Sequence, residues 1–272
     1  MVQYHKPHRY KKRKSIYHYL FFRLTILILI FFSLLVYFLF FTEYFQIKTI
    51  NLVNKNQISE KWFSQQDLLN SLWHKSENKI LFFNTRSIFL FKTKQAEKEI
   101  LSQFPSLAKI EIKQQLPDTL NVTVIPREEA AKLCLTNDCY ILDKDGIVFG
   151  VIKEDNTLLK IIDKQKETIQ LGERAISQQE LASLYKIKNQ LEQDLHILIS
   201  EFVITPEKLT VITQTGWEIY FDLKGDLDWQ LTKLKVVLQE KIPPDQRANL
   251  EYIELRFGNF ANPKYRINQG SK

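Results

Sequence analysis

Residues 24–41 read LTILILIFFSLLVYFLFF, a stretch without charge, glycine or proline. A helix rises about 1.5 Å per residue, so this run reaches roughly 27 Å, close to the ~30 Å hydrocarbon core of a bilayer. Leu20 to Phe22 extend it once Arg23 snorkels toward the headgroups. A secretory signal has a shorter apolar core of about 7–15 residues followed by a small-residue cleavage site, whereas this run leads into Thr42-Glu43-Tyr44. Soluble core helices are rarely apolar on every side over such a length. The sequence therefore predicts an uncleaved transmembrane helix at 24–41.

Charge assigns the two sides. Residues 1–23 hold Lys6, Arg9, Lys11, Lys12, Arg13, Lys14 and Arg23, with no Asp or Glu. The positive-inside bias keeps this tail in the cytoplasm and exports everything from Thr42 onward, giving one pass. The chain carries 38 Lys and Arg against 31 Asp and Glu; removing the tail's seven cations leaves 31 against 31. The exported part is formally neutral, so the basic pI belongs to a tail lying on anionic membrane lipid and not to a nucleic-acid footprint. Tyr4, Tyr10, Tyr17 and Tyr19 interleave that tail without changing this reading.

About 230 exported residues suffice for two domains with their own cores. Gln46 to Val53 alternates as a strand. Ser64, with Asp67 three residues on, opens a helix whose Leu68, Leu69, Leu72 and Trp73 share a face. Ile80-Leu81-Phe82-Phe83 reads as an apolar plug in a connecting stretch. A helix from Thr93 to Phe104 follows, then strands Leu107 to Gln115 and Leu120 to Ile125 around a turn at Pro117-Asp118-Thr119. Strand, helix, helix, strand, strand makes a small α+β unit.

A second series of short strands runs through Ala131 to Leu135, Tyr140 to Asp143, Ile147 to Ile152 and Leu158 to Ile162. A helix capped by Ser177 and Glu180 comes next, then strands at Ser200 to Thr205, Lys208 to Thr213 and Trp217 to Leu223. Asp226 caps a last helix, and Leu250 to Phe257 closes the domain before a polar tail. Cys134 and Cys139 fall across from one another near a hairpin tip, where export permits a disulfide without requiring one.

Catalytic chemistry is not legible. The five histidines are scattered, and no phosphate-binding, dinucleotide-binding, zinc-protease or serine-hydrolase motif occurs. Asp143-Lys144-Asp145-Gly146 lacks a ligand and a glycine where a calcium loop needs them and reads as a β-turn. His74 and His196 fall at predicted helix ends. Asp222, Asp226 and Asp228 read as caps and solvated surface. The expectation is a non-enzyme without metal or cofactor.

Several segments, taken in order, resemble the bacterial cell-division family FtsQ/DivIB. They are the basic tail and single span, Ile80-Leu81-Phe82-Phe83-Asn84, Gln103-Phe104-Pro105-Ser106-Leu107, and Leu116-Pro117-Asp118-Thr119-Leu120 with Val122, Val124 and Arg127. Farther on come Leu142-Asp143-Lys144-Asp145-Gly146-Ile147-Val148-Phe149, Gly216-Trp217-Glu218-Ile219-Tyr220-Phe221 and Tyr252-Ile253-Glu254-Leu255-Arg256-Phe257. The resemblance implies a POTRA domain at 45–126, a β-domain at 127–262 and a polar tail at 263–272. It also implies a non-enzymatic scaffold at the division septum, whose β-domain binds the single-span partners FtsB (or DivIC) and FtsL, partly by adding a strand at its C-terminal edge. It assigns that contact to Tyr252, Glu254, Arg256, Phe257, Phe260 and Tyr265. Glu254 stands where the family has Asp, and Pro263, lacking an N–H, predicts that pairing beyond Phe260 is irregular or stops. A POTRA-bearing transport component and a membrane-tethered enzyme are the competing readings.

Overall fold

The computed structural model describes residues 16–54, 62–80, 82–136, 138–152 and 158–266, with side chains from Tyr19 onward except that of Asn54. It is of mixed α+β class, with one apolar N-terminal helix and a large β-sheet domain.

Helix α1 (Ile16–Phe41) is unbroken. Its stretch Tyr19–Phe41 is long and apolar enough to cross a membrane and is not buried against the rest of the protein. The Thr25 hydroxyl donates back to the Phe21 and Phe22 carbonyls, which satisfies it inside the helix. A helix leaves its last four carbonyls without internal donors. Here the Phe40 carbonyl accepts from Thr85 Oγ1 at 2.5 Å and Gln46 Nε2 at 3.1 Å, and the Leu39 carbonyl accepts from Ser87 Oγ at 3.1 Å. Thr42 Oγ1 donates to the Phe38 carbonyl.

Two compact units divide the chain: Met1–Val53 with Leu69–Ala96 and Ile112–Val122, and Asn54–Leu68 with Glu97–Glu111 and Thr123–Lys272. After α1 come β1 (Thr49–Asn54), α2 (Gln65–Ser76), β2 (Asn78–Ile80), β3 (Phe83–Thr85), α3 (Thr93–Gln103), β4 (Leu107–Gln115) and β5 (Thr119–Pro126). Ser64 Oγ accepts from the Asp67 N–H at 3.3 Å, the cap that starts α2. Leu68 and Leu72 of α2 and Ile100 of α3 are fully buried. A three-stranded sheet has the order β1-β5-β4, and β5 alternates strictly, burying Leu120, Val122 and Val124.

The connection between the helices differs from the expected plug. It folds into a β2–β3 hairpin pairing Ile80 with Phe83, and leaves Phe82 and Phe83 89% and 64% exposed. The following Ser87 to Phe91 stretch makes one 3₁₀ turn that buries Ile88 and Phe91; Gln114 Nε2 donates to both of their carbonyls.

The large sheet is built from β6 (Ala131–Cys134), β7 (Cys139–Leu142), β8 (Val148–Ile152), β9 (Leu159–Asp163), β10 (Ile199–Ile204), β11 (Leu209–Thr213), β12 (Glu218–Phe221), β13 (Leu250–Glu254) and β14 (Asn262–Tyr265). Helix α4 (Gln178–Asn189) lies between β9 and β10 in sequence, and α5 (Leu227–Glu240) between β12 and β13. Its nine strands run β14-β13-β12-β11-β10-β9-β6-β7-β8. β9 with β10 and β12 with β13 pair in parallel, as strand–helix–strand crossovers require. The inward stripes of α4 (Leu181, Leu184, Ile187) and α5 (Leu231, Leu234, Leu238) join Phe202, Val211, Trp217 and Ile253 in one core. Ser177 and Glu180 form a reciprocal capping box, each side chain bonding the other's backbone N–H. Cys134 and Cys139 are directly opposite in the β6–β7 ladder and joined by a disulfide.

Three separated motifs meet inside the second unit. Arg127 Nε donates to the Pro105 carbonyl at 2.9 Å and its Nη1 to Asp143, while Asp143 Oδ1 accepts the N–H groups of Asp145 and Ile147. The aspartate thus folds its own turn and holds Arg127. Gly146 closes that turn at φ +73°, and a Cβ there would lie 2.0 Å from the Ile176 carbonyl oxygen. Neither the backbone angle nor the space admits a side chain. Gly146→Ala should therefore cost about 1–3 kcal/mol and lower the urea midpoint of unfolding; an unchanged midpoint contradicts this packing.

Candidate partner-binding edge

The end of the sheet nearest the C-terminus is where the residues assigned by resemblance lie. β12 alternates Ile219 and Phe221 inward with Glu218 and Tyr220 outward, and β13 turns Tyr252 and Glu254 to the same outer face. The Tyr220 and Tyr252 rings stack at 4.7 Å. Lys208 Nζ lies 3.1 Å from the centre of the Tyr220 ring, and Lys264 Nζ lies 5.3 Å from that of Tyr252. A cation–ring–ring–cation stack therefore crosses the sheet to its last strand. Burial pushes the Lys208 ammonium below its usual range, against the pull of Glu218 and other nearby carboxylates, and burial with the hydrogen bond to Glu218 pushes the Tyr220 phenol up.

Glu254 and Arg256 form a two-pronged ion pair, Nε to Oε1 at 2.9 Å and Nη2 to Oε2 at 2.8 Å. The Arg256 backbone N–H adds a third bond to the carboxylate at 3.0 Å. Arg256 Nη1 also donates to the Glu207 carbonyl, and its guanidinium covers the Phe257 ring at 4.8 Å. Lys233, nearly buried on α5, donates to the carbonyls of Leu255 and Gly258 and so fixes the turn after β13 to the helix; burial lowers its pKa.

No known family model matches this chain, and no curated protein matches it significantly.

The rim differs from expectation in one respect that matters for binding. Leu250 to Phe257 reads as the closing edge strand and 263–272 as a tail, but β13 ends at Glu254, the chain reverses at Gly258 (φ +66°), and β14 lies against β13. Tyr252 and Glu254 therefore sit on an interior strand with ladder partners on both sides, and Pro263 and Tyr265 belong to the sheet. The edge is β14 itself. The Arg266 N–H reaches inward to the Asn249 carbonyl at 2.9 Å, so by alternation Tyr265 and Pro263 point their backbone outward. Proline supplies no donor there, and the outer rim of β14 offers the Tyr265 N–H with the carbonyls of Pro263 and Tyr265.

Of the six assigned residues, the structure brings Tyr252, Glu254 and Arg256 into one half-buried network. Phe257 and Phe260 stand exposed at 63% and 75%, with Tyr265 at the rim. Phe257 lines a surface groove with Pro206 and Leu223; Phe260 lines another, of about 210 Å³, with Trp229 and Val236 of α5. Sequence reasoning passed over Tyr220, Lys208, Lys264 and Lys233. The period-two pattern around Glu218 and Tyr220 carried the signal for the stack; a lysine inside an apolar helix stripe carried it for Lys233.

The other candidates do not converge. His74 ends α2 and is exposed; His196 takes φ +53° just past the α4 segment and is exposed. Asp226 caps α5 through the Trp229 N–H, Asp222 accepts from the Lys224 N–H, and Asp228 pairs with Lys186. Among the described residues no group of three or more His, Cys, Asp or Glu is placed to hold a metal ion.

Burial alone raises the Glu254 carboxyl, but its bonds to the Arg256 side chain and backbone carry it, on balance, below the usual carboxylate range. A depressed folded-state pKa stabilises the fold in full above the unfolded value of about 4.3, and that stabilisation is lost as pH falls through the folded value. Glu254→Gln should therefore flatten the acid limb of the stability curve below about pH 4. Parallel acid limbs for variant and wild type, in melts of the full chain in detergent, would contradict the pairing.

Proposed function

We propose that this chain is a membrane scaffold of the bacterial division machinery, similar in role to FtsQ/DivIB. The basic tail stays in the cytoplasm, α1 spans the plasma membrane, and a POTRA domain at 45–126 and a β-domain from 127 act outside at the septum. The β1-β5-β4 sheet with α2 and α3 supports the POTRA reading, with the β2–β3 hairpin as an insertion between the helices. The protein performs no reaction; it holds FtsB/DivIC-like and FtsL-like single-span partners at the C-terminal edge of the sheet.

One observation carries this reading: the large sheet ends on a four-residue strand, outward-facing at Tyr265 and flanked by exposed Phe257 and Phe260. An incoming strand satisfies the remaining backbone groups of β14, while aromatic anchors beside it select the partner. The ion pair, the stack and Lys233 hold that rim in place before binding, so little ordering remains to oppose it. A transport role or a tethered enzyme draws no comparable support from the described residues.

Phe257→Asp should weaken binding of an FtsB-like exported segment by at least about 2 kcal/mol, some 30-fold, without unfolding the domain. Cells relying on that variant should grow as filaments. Undiminished binding together with normal septation would remove this reading.

A further inference from the structure

The β2–β3 hairpin exposes two aromatic rings that nothing in the division reading uses. Phe82, at its tip, is 89% exposed, and Phe83 beside it 64%. Large apolar side chains presented together on a protein surface mark a contact. Their location identifies the contact's chemistry. The Phe83 ring meets the Phe41 ring edge-on at 5.9 Å, at the last residue of α1, and Phe45 packs between Phe38 of α1 and Phe89. Two hydrogen bonds at the base of the hairpin reach the same helix turn, from Thr85 to the Phe40 carbonyl and from Ser87 to the Leu39 carbonyl. Tyr44, 60% exposed, follows the helix end directly.

The hairpin is thus fixed at the level where α1 leaves the hydrocarbon. Tyr19–Phe41 spans about 33 Å as a helix, so Phe38 to Phe41 fall at the headgroup boundary. Aromatic rings concentrate at that depth, where the ring is shielded from water. We propose that the hairpin tip is a second membrane contact, with Phe82 and Phe83 seated in the outer-leaflet interface beside the span. The occupant of this apolar tip is lipid of the membrane that α1 crosses, because the tip is continuous with that helix through bonds and ring contacts. Two anchors a short distance apart fix the rotation and tilt of the first unit about α1, which a single helix leaves free. The inference rests on α1 spanning the bilayer and is independent of the division role.

The test uses the full chain in lipid nanodiscs, its native cysteines kept as the disulfide and one added cysteine carrying an environment-sensitive fluorophore. Phe82→Cys is compared with Phe31→Cys inside α1 and Val151→Cys on β8, in bilayers with and without acyl-chain bromine as quencher. The expected result is strong quenching at 31, at least half that quenching at 82, and none at 151. Quenching at 31 with 82 as unaffected as 151 overturns the hairpin contact and leaves the span. A blue-shifted but unquenched label at 82 means a protein neighbour and also overturns it. No quenching at 31 removes the span, and the inference with it.

Discussion

Backbone groups without a partner are what this chain is arranged to manage, most acutely at the C-terminal end of α1. Within lipid a helix satisfies every internal N–H and C=O, but its final carbonyls face outward with no donors of their own. Thr85, Gln46 and Ser87 supply those donors from the domain that follows. The joint between α1 and the residues that follow it is therefore a hydrogen-bonded seat, with Phe41, Phe45, Phe83 and Phe89 closing around it.

The same problem recurs at the β14 end of the large sheet, with a different solution. An open β13 would present a long ladder to any passing strand. β14 covers it and is a poor template itself: four residues, a proline with no donor, and a single outward N–H at Tyr265. Such an edge discourages indiscriminate pairing while leaving one place where a matched strand can begin. The cation–ring stack and the half-buried Glu254–Arg256 pair stiffen the strands behind it, so these charges act as positioning groups for the rim.

Much of this was legible in residue order. The long apolar helix, the Ser177–Glu180 capping box, the turn at Asp143 and the alternating strands follow from local chemistry, and Ser64, Ser177 and Asp226 cap helices where their side chains predict. What failed depended on contacts far apart in sequence. Asn262 to Tyr265 is polar and contains proline, so nothing local marks it as a strand; it forms one because Gly258 reverses the chain and Lys233 pins the turn. Ile80-Leu81-Phe82-Phe83 reads as an apolar plug from its composition, yet Phe82 and Phe83 stand exposed on a hairpin, which composition alone does not reveal. For the first reason the last strand of the sheet is β14 and not β13, and Tyr252 and Glu254 lie one strand in from the edge.

Whether the β14 rim meets another chain in the cell decides the proposed role. The direct measurement is photo-crosslinking from a benzophenone amino acid at Tyr265, with the same probe at Val151 on the opposite edge strand β8, in living cells. An adduct with a small single-span membrane protein from position 265, and none from 151, is what the account predicts. Adducts from 151 alone, or a silent 265 in dividing cells, would contradict it.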